Sequence, residues 1–282
     1  MSDLSAWGDI LVAEDSSVNQ RVTRAMLENL GYRVDTVADG TEAVNAAAVK
    51  QYRAILMDCQ LLALDGDLAT SEIRRWRGAS RSTPIIAVTA SEQKTDELRC
   101  LSAGMDDYLT KPLTMRTLAA VLAKWVPDES AHDETAHDEA SVSDAVAPTA
   151  DLDPADEANP GRRTLTPVLD GLAIDRLERL GEATGEDLVA QLTALFLADA
   201  DSCVDSLRTA MDRLDGAAVF RAAHTMSGAS ANLGALELAR VCRELAIDAE
   251  AGHLSGGEQR LVAIETELDR ARSALTARST TP

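Results

Sequence analysis

The chain has 282 residues, enough for about two domains, and 45% of them are hydrophobic, enough for two cores. A formal net charge of −20 opposes nucleic-acid binding, and no stretch reads as a helix-turn-helix. No apolar run approaches the ~18 residues that span a bilayer, and the N-terminus has no charged-then-apolar signal pattern, so a cytoplasmic protein without membrane insertion is expected.

Residues 8–126 alternate between strand and helix patterns. Strands are expected at 9–14, 33–37, 53–58, 84–88 and 106–109, and helices at 17–30, 40–50, 66–77, 91–103 and 114–125. This alternation predicts an α/β domain, a doubly wound five-stranded parallel sheet with helices on both faces. Ser16-Ser17 offers an N-cap, Gly31 a C-cap, and Pro84 opens a strand where its missing N–H is tolerated.

The stretch from Arg53 to Gly66 is central. An apolar run, Ala54 to Met57, stops at a carboxylate, Asp58, and a loop then closes at the turn signal Asp65-Gly66. Ligands of open parallel sheets sit beyond the carboxyl ends of the strands, where Asp58 would stand. Other runs end at the same edge with Glu14 and Asp15, with Thr89, and with Lys111. Three crowded carboxylates repel unless a cation sits among them, and Mg²⁺ suits oxygen ligands that leave room for water and phosphate oxygens.

Residues 127–166 hold eleven acids, no Lys or Arg before Arg162, and four of the eight prolines. That composition predicts a disordered acidic linker, self-repelling and extended. It contains a short repeat, Ala-His-Asp-Glu at 131–134 and 136–139, read as solvated spacer. From 167 to 277 the period is helical, with helices expected at 173–181, 186–213, 216–231, 235–251 and 257–277. Short connections between amphipathic helices predict an all-α antiparallel four-helix bundle.

On the helix 216–231, Val219, Ala222, Met226, Ala229 and Leu233 form one apolar stripe. His224 falls nearly opposite, so it is expected to be exposed, beside Arg221 and Gly228. Gly228 costs the helix about 1 kcal/mol relative to Ala, and clearance around the imidazole is the physical return.

The ordered motifs Glu14-Asp15, Asp58, Thr89-Ala90 and Lys111-Pro112 resemble a response-regulator receiver domain of flavodoxin-like fold. The resemblance implies that Asp58 accepts a phosphoryl group and that Glu14, Asp15 and Asp58 hold Mg²⁺. It implies that Thr89 and Lys111 bind the phosphoryl oxygens, with Thr89 and Tyr108 as the switch pair. The usual Met-Pro after the phosphoacceptor is Leu61-Leu62 here, which loosens that loop. The segment from His224 to Ala235 resembles the signature of a histidine phosphotransfer (HPt) domain, which implies that His224 is phosphorylated. Ser227 stands where that family usually has Lys, and Arg221 is expected to supply the cation, with Gly228 as the clearance.

Together these resemblances imply a phosphorelay between a sensor histidine kinase and a downstream receiver. A linker of about 40 residues spans roughly 35 Å, which allows transfer within the chain. Two alternatives are a phosphorylation-switched binding module with a silent His224, and a phosphate sink for a kinase. Leu254 to Arg260 looks like an ATP-binding-cassette signature, but no Gly is followed by Lys, so there is no P-loop. A separate kinase is therefore expected to load the protein. Cys59, Cys100, Cys203 and Cys242 are far apart in sequence and are expected to be small buried hydrophobes.

Overall fold

The computed structural model describes residues 10–61, 63–90, 94–126, 168–254 and 256–279. The acidic segment 127–166, its repeat, and Leu62 lie outside the described residues.

The first part alternates strictly: β1 (Ile10–Ala13), α1 (Ser17–Asn29), β2 (Val34–Val37), α2 (Gly40–Val49), β3 (Ala54–Asp58), α3 (Gly66–Arg75), β4 (Ile85–Thr89), α4 (Lys94–Ala103), β5 (Asp107–Thr110) and α5 (Met115–Trp125). All strand pairs are parallel, in the order β2-β1-β3-β4-β5. The strand order reverses between β1 and β3, so a crevice opens beyond their carboxyl ends. Both faces are covered, and for that reason β1, β3 and β4 are buried along their whole length. Leu11, Ile55, Met57 and Ile85 pack with α2, α3 and Cys100 on one face. Ile10, Val12, Leu56 and Ile86 pack with Leu27, Leu118 and Leu122 on the other.

Local signals account for the helix ends. Ser16 caps α1 by accepting from the Asn19 N–H, and Gly31 follows that helix at φ +89°. Gly66 opens α3 directly behind β3, where a Cβ would overlap the Asp58 carbonyl oxygen. Only glycine lets α3 begin so close to the end of β3.

Five helices follow: α6 (Gly171–Thr184), α7 (Leu188–Asp212), α8 (Gly216–Asn232), α9 (Leu236–Glu250) and α10 (Gly257–Ser279). Helices α7 to α10 form the bundle, in which α8 packs on α7 and α9, and α10 packs on both of those. Helix α6 lies against α7 and also against α1 of the sheet domain. Its start is tied to the α8–α9 turn by the Asp170 N–H donating to the Gly234 carbonyl at 2.8 Å.

The two parts share a core. One face of α1 turns Leu27 toward the sheet. Val18, Val22 and Ala25, at helical spacing i, i+4 and i+7, join the bundle's own cluster with Leu188, Leu192, Phe196 and Met226. Burying an apolar side chain of this size stabilises by roughly 1.5–3 kcal/mol, so the contact is substantial. Substituting Val22→Asp places a carboxylate in that shared cluster. Separation returns the charge to water, so the domains are expected to undock before either unfolds. Hydrogen exchange should then speed up in α8 around His224 and stay slow in β1, β3 and β4.

Candidate functional site

Asp58 ends β3 and is 2% exposed; Glu14, just past β1, is 4% exposed; Asp15 is half-buried. One oxygen of each lies within 4.8 Å of the others. The Lys111 ammonium bridges the cluster, donating to Asp58 Oδ2 at 2.6 Å and Glu14 Oε2 at 2.7 Å. The Lys111 N–H donates to the Thr89 carbonyl at 2.7 Å, which places the lysine just past β5, two strands over from Asp58 on β3. The bond between Lys111 and Pro112 is cis. Asp58 Oδ1 accepts from the Gln60 N–H at 3.0 Å.

The electrostatics are unbalanced. Burial would lower the Lys111 pKa, but the Asp58 and Glu14 carboxylates outweigh it and hold it above its ordinary value. Burial raises Glu14, with Lys111 opposing and Asp58 adding to the rise. Asp15 is pushed up to about 7, first by burial and then by the Glu14 and Asp58 charges. One ammonium is too little positive charge for three carboxylates. A converging all-oxygen donor set with surplus negative charge fits a hard divalent cation such as Mg²⁺.

Helix α8 closes over this edge. Thr225 Oγ1 donates to Asp15 Oδ2 at 3.0 Å, and Asn232 Nδ2 donates to Asn19 Oδ1 at 2.8 Å. Asn19 in turn donates from Nδ2 to Glu14 Oε1 at 2.8 Å. Around the rim, Ser17 donates to Asp199 at 2.6 Å, and Arg21 binds Gln191 and Glu186. Gly228 faces Asn19, and a Cβ there would lie 2.9 Å from Asn19 Nδ2.

His224 is half-buried rather than exposed. Its face of α8 does point away from the bundle core, but the sheet domain covers it. Phe220 stacks on it, with ring centroids 5.8 Å apart. Burial lowers its pKa to about 4, assisted by the Lys111 and Arg243 charges and opposed by Glu14. The imidazole is therefore neutral near pH 7 and lies within electrostatic reach of the acid pocket. Ser227 is buried and donates to the Ala239 carbonyl at 2.9 Å, so that position faces α9, not the sheet domain. Arg221 lines the crevice between the domains.

Tyr108, on β5, is 39% exposed, while Thr89 is buried. Sequence reasoning missed three groups. Arg243 reaches His224 only through the α8–α9 contact. Asn19 and Asn232 look like ordinary helix polar residues until the domains meet. The i, i+5 spacing of Glu14 and Asn19 was the available signal for Asn19.

Two measurements probe this arrangement. Gly228→Ala should strengthen α8 by about 1 kcal/mol as an isolated helix. The added methyl meets Asn19, so domain docking should weaken although the bundle melts no lower; small-angle scattering and thermal melting read the two effects separately. The second concerns pH. Docked His224 binds its proton less tightly than a free imidazole at 6.5, so the separated state takes up the extra proton. Docking should lose this contribution as pH falls from 6.5 toward 4. Asp15 titrates in the opposite sense, so the effect is read as the difference between the wild type and His224→Gln.

Residues 10–123 match the response regulator receiver domain family, and residues 191–274 match the Hpt domain family. The sensor protein GacS of Pseudomonas syringae pv. syringae is 31% identical over 237 residues, which is 83% of this chain and 24% of GacS. The hybrid signal transduction histidine kinase G of Dictyostelium discoideum is 38% identical over 120 residues, 42% of this chain and 4% of its own length. The chain thus spans a quarter or less of these curated relatives. Among solved structures, the receiver domain of a sensor histidine kinase from Pseudomonas aeruginosa, with magnesium coordinated in its active-site cleft, is 50% identical with a TM-score of 0.41, covering 44% of this chain and 100% of its own. No helix among the described residues is long and apolar enough to cross a membrane. The chain carries a response regulator receiver domain followed by an Hpt domain, the two modules of a two-component phosphorelay.

Proposed function

We propose that this chain relays a phosphoryl group between Asp58 and His224, and that the two sites exchange it within one molecule. The observation that carries this reading is the docking of α8 on the acid pocket, with Thr225 bound to Asp15 and Asn232 bound through Asn19 to Glu14. Those contacts aim the imidazole face of α8 at the edge that holds Asp58.

The chemistry is an in-line exchange. In one direction the His224 phosphorus–nitrogen bond breaks as an Asp58 oxygen bonds to phosphorus; in the other the same bonds reverse. Positioning and charge neutralisation do most of the work in such a transfer. Lys111, which donates to Asp58, would neutralise an equatorial oxygen, and the Thr89 hydroxyl would donate to another. Glu14, Asp15 and Asp58 would hold Mg²⁺, which when bound supplies charge neutralisation at the phosphoryl oxygens. Neutral His224 keeps a lone pair for attack. Arg221 and Arg243 flank it as the cations for phosphohistidine, with Gly228 leaving the approach open. Phosphorylation adds about −1.5 to −2 charge at this edge. Thr89 then turns toward the phosphoryl group, and Tyr108, which starts half-exposed, follows inward.

The partners on this reading are a sensor histidine kinase on one side and a receiver domain on the other. The relatives being sensor and hybrid histidine kinases supports the first. The silent-histidine alternative leaves the half-buried, neutral His224 at the acid pocket without a purpose, so the relay is preferred.

Radiolabelled phosphate from a phosphorylated kinase tests it. Asp58→Asn should prevent loading of the receiver, and His224→Gln should leave label that is stable to neither acid nor alkali for long. Acid-labile, alkali-stable label should appear only when His224 is present. Exchange in the wild type should be independent of protein concentration, whereas a mixture of the two variants should exchange slowly and in proportion to concentration. Label confined to Asp58 in the wild type would instead favour a switch or a sink.

A further inference from the structure

Two cysteines far apart in sequence meet beside the phosphoacceptor. Cys59 immediately follows Asp58, and Cys100 lies in α4. Their Sγ atoms are 3.1 Å apart, about 1 Å longer than a disulfide bond. Both are free thiols, both are buried, and neither has a part in phosphoryl exchange. The two sit differently. Cys59 lines a crevice of about 340 Å³ between the domains, together with Gln60, Arg99, Phe220 and Arg221. Both belong to the apolar cluster under α3, and of the two only Cys59 also lines the crevice. A small oxidant therefore reaches Cys59 first, and Cys100 stands behind it. Contact with Cys100, and then burial, pushes the Cys59 thiol above its ordinary range, while the Arg99 guanidinium acts the other way.

We propose that Cys59 and Cys100 are a modification site: a dithiol that a hydroperoxide converts to an intramolecular disulfide. In the first step the Cys59 thiolate attacks a peroxide oxygen, the O–O bond breaks, and water or an alcohol leaves after taking up a proton; Cys59 becomes a sulfenic acid. In the second, Cys100 sulfur attacks Cys59 sulfur, the S–O bond breaks, and water leaves with the Cys100 proton. Two electrons pass from the sulfur pair to the peroxide, and two thiols plus one hydroperoxide give one disulfide, one water and one alcohol or second water. Because the two sulfurs already lie at contact distance, the second step needs no large movement of the chain.

The bond would join β3 to α4 one residue from the phosphoacceptor. The Cys59 backbone already holds two neighbours, donating to the Val88 carbonyl at 3.1 Å and accepting from the Gly66 N–H at 3.3 Å. The link would add α4 to that set and fix it relative to β4 and α3.

The test uses the full chain, treated with hydrogen peroxide, then denatured, alkylated and digested. The expected product is a cross-linked peptide pair containing Cys59 and Cys100 in a monomer, lighter than the untreated chain by two hydrogens and restored by dithiothreitol. Cys203 and Cys242 should both be alkylated, so the free-thiol count falls from the four of the sequence by half. In Cys100→Ser the reaction should stop at Cys59 sulfenic acid, trapped by dimedone. Recovery of Cys59 and Cys100 as alkylated free thiols after peroxide treatment would overturn the proposal. So would pairing of either with Cys203, Cys242 or another chain, or an absence of dimedone label at Cys59 in Cys100→Ser.

Discussion

Like charges at one sheet edge set the terms for everything else in this molecule. Two unit charges 4 Å apart interact by about 4 kcal/mol at an effective dielectric constant near 20. Three carboxylates within 4.8 Å of one another therefore need compensation, and Lys111 supplies only part of it. Neutral donors ease part of the remainder. Gln60 N–H serves Asp58, Asn19 serves Glu14, and the Thr225 hydroxyl of the second domain serves Asp15. The docking of the Hpt domain is thus partly a response to these acids, the same ones that the proposed phosphoryl transfer would use.

Helix α1 converts that local demand into a stable geometry. It leans on the sheet through Leu27 and on the bundle through Val18, Val22 and Ala25. The polar rim adds direction more than energy. The Arg21–Glu186 pair includes a carboxylate that is 42% exposed, and pairs of that kind are worth little after solvent screening. Apolar burial holds the domains together, while Asn19, Asn232 and Gly228 fix how they meet. Because Asn19 touches both Glu14 and Asn232, the orientation of an acid in one domain depends on the seating of a helix in the other.

Much of the fold was legible because its signals are local. Continuous apolar runs and period-3.6 patterns, with Ser16, Gly31 and Pro84 as punctuation, located the ten elements of the receiver. The place of Asp58 at the end of a strand was legible because the apolar run stops there at a carboxylate. His224 shows the limit. Its helical phase placed it away from the bundle core, and it does lie there, yet exposure depends on a second domain that helical phase cannot see. The same holds for Cys59 and Cys100. Forty-one positions separate them, and only the packing of α4 over β3 brings their sulfurs together. Reading them as small buried hydrophobes described their burial and missed their contact. Arg243 was hidden for the same reason, since its relation to His224 passes through the pairing of α8 with α9.

The double duty of α1 has an outcome for recognition in solution. The face that seats α8 is occupied by a tethered neighbour, so a second molecule that wants the same face must wait for it to lift. Apparent affinity for such a visitor is scaled down by the fraction of time the internal seat is vacant. A mutation that loosens the seat without touching Asp58 or His224 would therefore make the protein more promiscuous, and one that tightens it would make it more private. Selectivity in this chain is then a matter of occupancy as much as of complementarity.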